Sequence, residues 1–232
     1  MDLAKIFDAK NILFSNISDH EKKISIYLFQ VTEWIQHTHQ FSKMLQADEL
    51  ETANRFKHDK DKLVYIVRHG LLRMLLSKVT GARPQLIKLT TKRFQKPRLL
   101  FPSIKDLDFN SSASGRYFVV AVSFSTQVGI DVQKVSYSDN RITGIAEQFF
   151  HREEVDAIKK EVVEEKMNAF FQLWTTKEAF VKLSQNFQPE TFAVPLVSSA
   201  HPISKKRIGG FNLCFHCLEI DPDYKATVIY RI

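Results

Sequence analysis

Residues 117–132 read Tyr-Phe-Val-Val-Ala-Val-Ser-Phe-Ser-Thr-Gln-Val-Gly-Ile-Asp-Val, two apolar runs joined by a short polar link. Tyr117–Phe124 is strongly apolar and β-branched, and Val128–Val132 repeats the pattern. A segment apolar on both faces predicts a strand covered on both sides, so both runs are expected as central strands. The second carries Asp131, a carboxylate that is costly to bury unless it is paired, metal-bound or turned to a solvent-facing edge. Gly129, two residues earlier, lets the backbone lie close to another group, such as a ligand. Alone, Gly-Ile-Asp is a weak signal, because most such triplets merely end a strand in a turn.

Working outward, residues 24–31 (Ile-Ser-Ile-Tyr-Leu-Phe-Gln-Val) predict a first strand. Asp48 and Glu49 mark the start of a short helix, and a longer one is expected from Lys60 to Val79. There Leu63, Val67, Leu71, Met74 and Leu75 recur at three- and four-residue steps, and Thr80-Gly81 with Pro84 supplies the stop. A strand at Leu86–Leu89 precedes a Lys-, Arg- and Pro-rich loop over 92–106. Helical patterns return at 141–150 and about 152–183. The chain closes with strands Phe211–Ile220 and Tyr224–Tyr230, joined by the turn Asp221-Pro222-Asp223. This order predicts an α+β protein of two similar-sized halves meeting near residue 110.

The chain has 232 residues, 44% hydrophobic and 25% charged, an ordinary globular composition. Nineteen phenylalanines against seven glycines and seven prolines argue against disorder. The longest purely apolar run, Phe118–Val122, falls far short of the roughly 20 residues of a membrane helix. Met1-Asp2-Leu3-Ala4-Lys5 does not resemble a signal peptide, so a soluble, cytoplasmic protein is expected, with no membrane partner. The net charge of +7 favours a polyanionic partner without choosing among nucleic acid, lipid, a phosphorylated small molecule or an acidic protein. Nucleic-acid binding rests on charge only, since no recognised motif accompanies it, and is not expected.

Several chemistries find no support. Cys214-Phe215-His216-Cys217 has CxxC spacing, but on a strand the two thiols point to opposite faces, and no second pair exists for zinc. The eight histidines include no HExxH, and no P-loop, GxGxxG or GxSxG occurs.

The segment Trp174-Thr175-Thr176-Lys177-Glu178-Ala179-Phe180-Val181-Lys182 is more specific. Glu178 and Lys182 share a helix face. Exposed, such a pair contributes only about 0.3–0.5 kcal/mol. Phe170, Phe171, Leu173, Trp174, Phe180 and Val181 surround it, however, and a helix apolar nearly all round is buried. Glu178 and Lys182 are therefore expected to face a cleft. Hard oxygen ligands from Asp131 and Glu178 suit Mg²⁺, with a lysine nearby for phosphate.

These residues resemble the signature pair of the 4′-phosphopantetheinyl transferases of the surfactin-synthetase-activating type. Gln95-Lys96-Pro97 is similar to that family's Gly-Lys-Pro segment, and Phe109-Asn110-Ser111-Ser112-Ala113-Ser114-Gly115 to its Phe-Asn-hydrophobic-Ser-His-Ser-Gly stretch. Phe149-Phe150 before Glu153-Glu154, and Leu218–Lys225, match the helix entry and closing hairpin. Order and spacing agree from about residue 47 to 232. The resemblance implies a pseudo-dimeric monomer, each half a small, mostly antiparallel sheet with helices. The halves would be 1–110 and 111–232, the second carrying the metal and catalytic motifs. It implies transfer of the phosphopantetheine arm of coenzyme A, the co-substrate, to a serine of an acyl or peptidyl carrier protein, with Mg²⁺ as cofactor. Asp131, Glu178 and Lys182 would be catalytic; Asp131, Glu178 and Gln133 would hold the metal. Lys96, Pro97, Ser112, Ser114, Lys60, Lys62, Arg68 and Lys182 would bind coenzyme A.

Three positions depart from the family pattern. Gln133 replaces a glutamate near the metal, and Ala113 replaces a histidine that contacts coenzyme A phosphate. Lys182 is followed by Leu-Ser-Gln-Asn-Phe where relatives have a glycine-containing turn. The alternative is a family-derived protein without catalysis that only binds coenzyme A or a carrier protein.

Overall fold

The computed structural model describes residues 7, 13–19, 22–90, 95–135, 139–185, 189–196 and 204–232. Strands β1 (Leu13–Asp19) and β2 (Lys22–Gln30) are followed by a 3-10 turn over Val31–His37 and helices α1 (Thr38–Ser42), α2 (Ala47–Asn54) and α3 (Asp59–Thr80). Short strands β3 (Lys88–Leu89) and β4 (Leu99–Phe101) precede β5 (Asp108–Ser114), β6 (Tyr117–Ser123) and β7 (Val128–Lys134). Helices α4 (Asp139–Phe149), α5 (Arg152–Lys160), α6 (Val163–Ser184) and α7 (Pro189–Phe192) lead into β8 (Lys205–Ile208), β9 (Phe211–Cys217) and β10 (Tyr224–Arg231). The architecture is α+β, built on two antiparallel four-stranded sheets of order β1-β2-β6-β5 and β7-β10-β9-β8.

All seven residues of β6 are buried because each of its faces meets a different core. Phe118, Val120 and Val122 pack with Phe29, Trp34 and the α3 residues Val67, Leu71 and Leu75. Tyr117, Val119 and Ala121 pack instead against Val128, Ile130, Val132 and Val228 of the second sheet. The apolar run is therefore continuous, as expected for a strand with no solvent face. Helix α3 stops at Gly81, whose φ of 76° is the left-handed C-cap conformation that glycine adopts without strain.

The sheets part between Ser123 and Val128, so β5, which spans residue 110, lies in the first sheet. A division at 110 would cut β5, which pairs with β6 (Phe109↔Val122, Ser112↔Val119) inside the first sheet. Strand β5 is polar, Asp-Phe-Asn-Ser-Ser-Ala-Ser, because its side chains form the seam between the sheets. Asp108 Oδ2 accepts from Val128 N at 2.8 Å, Asn110 Oδ1 from Ile130 N at 2.9 Å and Ser114 Oγ from Lys134 N at 2.9 Å. Alternate β5 side chains thus substitute for a backbone ladder along β7. The helical pattern expected over 152–183 is two helices, interrupted where Glu161 turns to an extended ψ of 152°. The strand expected at Leu86–Leu89 shrinks to Lys88–Leu89 after a 3-10 turn at Pro84–Leu86.

Candidate active site

Helix α6 lies directly on β7, and Gly129 is the reason it fits. A Cβ at 129 would stand 2.1 Å from the Ala179 carbonyl oxygen and 2.8 Å from Leu183 N. The group that approaches this glycine is the helix backbone, not a ligand. That contact brings Lys182 onto Asp131, which is 1% exposed. Lys182 Nζ donates to Asp131 Oδ1 at 2.6 Å, to Ser112 Oγ at 3.1 Å and to the Ile130 carbonyl at 3.3 Å. The Ser112 hydroxyl donates to the same Oδ1 at 2.6 Å. Among the described residues, Asp131 Oδ2 receives a long contact of 3.4 Å from Gln133 Nε2.

Glu178, one helical turn before Lys182, is half-buried. Burial and the neighbouring Asp131 carboxylate push its pKa above the usual glutamate range, with Lys182 opposing. No described residue donates a hydrogen bond to its carboxylate. Two carboxylates, one of which accepts no hydrogen bond from a described residue, are hard-oxygen groups of the kind that suit a divalent cation. Among the described residues no three His, Cys, Asp or Glu side chains converge as ligands, and the Gln133 amide turns Nε2 toward Asp131 while its Oε1 accepts from Ser114 Oγ at 3.4 Å. Glu178 and Gln133 also line a cavity of about 260 Å³ walled by Ile145, Phe170, Phe171 and Trp174.

On the other side of Ser112 lies a larger cavity of about 530 Å³ between α3 and β5. Lys60, Arg68, Pro97, Ser112 and Ala113 line it. Arg68 Nε is buried without a hydrogen-bond partner, and burial lowers the guanidinium pKa. A half-buried guanidinium whose Nε has no partner among the described residues is suited to an anion. The rings of Phe56, Tyr65 and His69, successive centroids 5.4 and 4.0 Å apart, form an aromatic ladder along the same wall.

Two residues expected to bind cofactor are committed elsewhere. Lys96 is not in the cavity: its fully buried side chain pairs with Asp108 and donates to the Val128 carbonyl at 2.7 Å, sealing the seam. Ser114 accepts from Lys134 N and belongs to the seam as well. Lys62 is half-buried on α3 but is not among the cavity-lining residues. The basic pair Lys92-Arg93 and the Asn186-Phe187 end of the departing turn lie outside the described residues. Gln185 holds the left-handed position of that turn at φ 57°, a conformation glycine would take more cheaply. Cys214 is buried and Cys217 exposed, on opposite faces of β9 as alternation requires.

Sequence reasoning missed the seam residues Asp108 and Asn110, the aromatic ladder and a clamp at the β5–β6 turn. There Tyr117 Oη donates to Asp221 Oδ2 at 3.1 Å, and Arg116 pairs with the same carboxylate. The alternating polar residues of 108–114 were the available signal for the seam.

Known proteins carry the same pattern. The sequence model of the 4′-phosphopantetheinyl transferase superfamily matches residues 127–228. A model of the N-terminal part of 4′-phosphopantetheinyl transferases matches residues 32–125. The junction between the two falls in the link from β6 to β7. A 4′-phosphopantetheinyl transferase of Bacillus subtilis is 29% identical over 188 residues, 79% of this chain and 81% of the relative. The transferase Sfp of Bacillus subtilis strain 168 is 26% identical over 197 residues, 83% and 85% of the two chains. HetI of Nostoc sp. is 31% identical over 139 residues, 60% of this chain and 58% of its own.

Proposed function

Because the chain belongs to the 4′-phosphopantetheinyl transferase superfamily, we propose that it moves the 4′-phosphopantetheine arm of coenzyme A onto a serine of an apo acyl or peptidyl carrier protein. The observation that carries this reading is the Asp131–Lys182 pair, to which Ser112 of the basic cavity is hydrogen-bonded and beside which Glu178 lines the aromatic one. In the basic cavity, Arg68 and Lys60 would take the nucleotide phosphates, and the Phe56–Tyr65–His69 ladder offers faces to a base. The aromatic cavity beside Glu178 is suited to the uncharged arm.

Glu178 is the candidate base. A carboxylate with a raised pKa holds a proton more readily than an ordinary glutamate, which suits it to accept one from the serine hydroxyl. The serine oxygen then attacks the phosphorus bearing the pantetheine, the diphosphate P–O bond breaks, and 3′,5′-ADP leaves with the electron pair. Lys182 stands where its ammonium can turn from Asp131 toward that growing charge. Asp131 and Glu178 would hold Mg²⁺, joined by Gln133 once its amide turns Oε1 in place of Nε2 toward Asp131, and the ion would neutralise the diphosphate. The non-catalytic alternative is less well supported, since all three signature side chains are present and gathered. No described helix is long and apolar enough to cross a membrane. Action on an acidic carrier accords with the charge of +7, and the protein is read as a cytoplasmic monomer. Incubation with coenzyme A, Mg²⁺ and an apo carrier protein tests the proposal. The expected result is a carrier mass increased by one phosphopantetheinyl group, and an unchanged carrier mass overturns it.

A further inference from the structure

We propose that the buried Glu154–Lys177 ion pair is the rotational lock of α6, making both side chains positioning residues for Glu178 and Lys182; this rests on the transferase reading of the site. Lys177 precedes Glu178, so the two project about 100° apart around a 3.6-residue helix. Lys177 points away from the cleft. Its Nζ lies 2.6 Å from Glu154 Oε2, and both side chains are 0% exposed. The same ammonium donates to the Val194 carbonyl at 2.5 Å. Glu154 Oε1 accepts from Leu196 N at 2.7 Å, and Oε2 from His151 N at 3.1 Å. One pair therefore joins α5, α6 and the chain beyond α7, each charge also bonded to main-chain groups.

Apolar packing alone does not set the rotation of this helix. Phe170, Phe171, Leu173, Ala179, Phe180, Val181 and Leu183 are all buried, on every side of α6. Contacts of that kind are non-directional, whereas a buried polar pair with fixed partners selects one register. Besides the Lys182–Asp131 pair at the site itself, whose lysine is 19% exposed, α6 is tied on the face toward β10, where Gln172, Thr175 and Thr176 reach the Thr227 hydroxyl at 2.8–3.2 Å. Neutral hydroxyls can exchange donor and acceptor roles, so this second contact tolerates rotation better than an ion pair does.

The test compares two double variants with the full wild-type chain. In Glu154→Leu/Lys177→Met the pair becomes apolar at similar volume, which typically keeps or raises stability. In Glu154→Gln/Lys177→Gln directional hydrogen bonds remain without charge. The expected result is a kcat reduced at least about ten-fold in the apolar pair, because small misplacements of reacting groups are that costly. Its thermal midpoint should be retained and its KM for coenzyme A unchanged, since the α3–β5 cavity is untouched. The amide pair should keep kcat within about three-fold. Wild-type kcat in a folded apolar pair overturns the proposal. Should the apolar pair not fold, the amide pair decides: near-normal kcat despite a lowered midpoint supports the lock, and a kcat that falls with the midpoint overturns it. Titration with Mn²⁺ alone separates this from the transferase reading. If the wild type transfers nothing, that reading fails, and weaker Mn²⁺ binding by the apolar pair still supports the lock while equal binding overturns it.

Discussion

Lys182 Nζ lies 2.6 Å from Asp131 Oδ1, joining a helix to a strand 51 residues earlier in the chain. The carboxylate is almost wholly buried and the ammonium 19% exposed, so the lysine both serves the cleft and compensates a charge that water does not reach. Its removal therefore has a structural as well as a chemical effect. Lys182→Ala should lose transfer and also about 1–3 kcal/mol of stability, the penalty for an unsatisfied buried group. Turnover and urea midpoint measured together check this. An unchanged midpoint would mean that the Asp131 charge is satisfied by Ser112 and solvent alone. Asp131→Ala and Glu178→Ala should each abolish transfer and leave the fold intact, as read by circular dichroism.

Glu178 gives a pH signature. Its pKa is raised in the folded protein by burial and by Asp131, so the folded state binds its proton more tightly than the unfolded chain. The stability from the protonated form is fully present below the ordinary glutamate pKa. It is lost as pH rises through the raised folded value. Glu178→Gln, which cannot ionise, should therefore melt like the wild type in acid and above it near neutrality. Thermal midpoints across that range decide the point. A difference that stays constant with pH would show that the carboxylate is not strained by burial.

Gly129 and Gly70 separate site geometry from general packing. Gly129→Ala would drive its Cβ against the Ala179 carbonyl, backbone that yields only if α6 moves away from β7. We expect a loss of about 1–3 kcal/mol from overpacking, together with a fall in kcat. Gly70→Ala meets the Phe41 ring at 2.2 Å inside the first core, away from the reacting groups. It should lower the midpoint comparably and keep kcat. Equal effects of both on kcat would deny Gly129 its place in setting the helix against Asp131.

The elements that position the site were legible where burial is apolar. Helix α3 and strands β6 and β7 announce themselves because their faces meet hydrophobic cores. Asp131 and Lys182 stand out in the sequence because charges within such runs demand partners, and the two pair with each other. Strand β5 was hidden by the same logic, since a strand that bonds its neighbour through Asp108, Asn110 and Ser114 side chains has no apolar alternation. Lys96 was misplaced because a motif position says nothing about where four methylenes carry an ammonium. Only the fold shows Asp108 and the Val128 carbonyl waiting for it. The join between α5 and α6 at Glu161 contains no glycine or proline to betray it.

Arg68 and Ala113 line one cavity, and that shared wall yields the last prediction. Arg68 Nε is buried with no partner, so an anionic ligand would gain a charge-assisted hydrogen bond that the protein does not already use. Arg68→Ala should weaken coenzyme A binding by about 1.5–3 kcal/mol, the worth of one bond to a charged group. Ala113 offers no donor, and Ala113→His places an imidazole on the β5 side of the same space. If both side chains address one phosphate, their contributions are not additive, because each satisfies a demand the other has already met. The histidine should then tighten binding more in the Arg68→Ala background than in the wild type. Calorimetric titration of the four proteins with coenzyme A completes the cycle. Equal gains in both backgrounds would place the two positions on separate phosphates. Weaker binding by Ala113→His in both would show that the cavity has no room for a ring there.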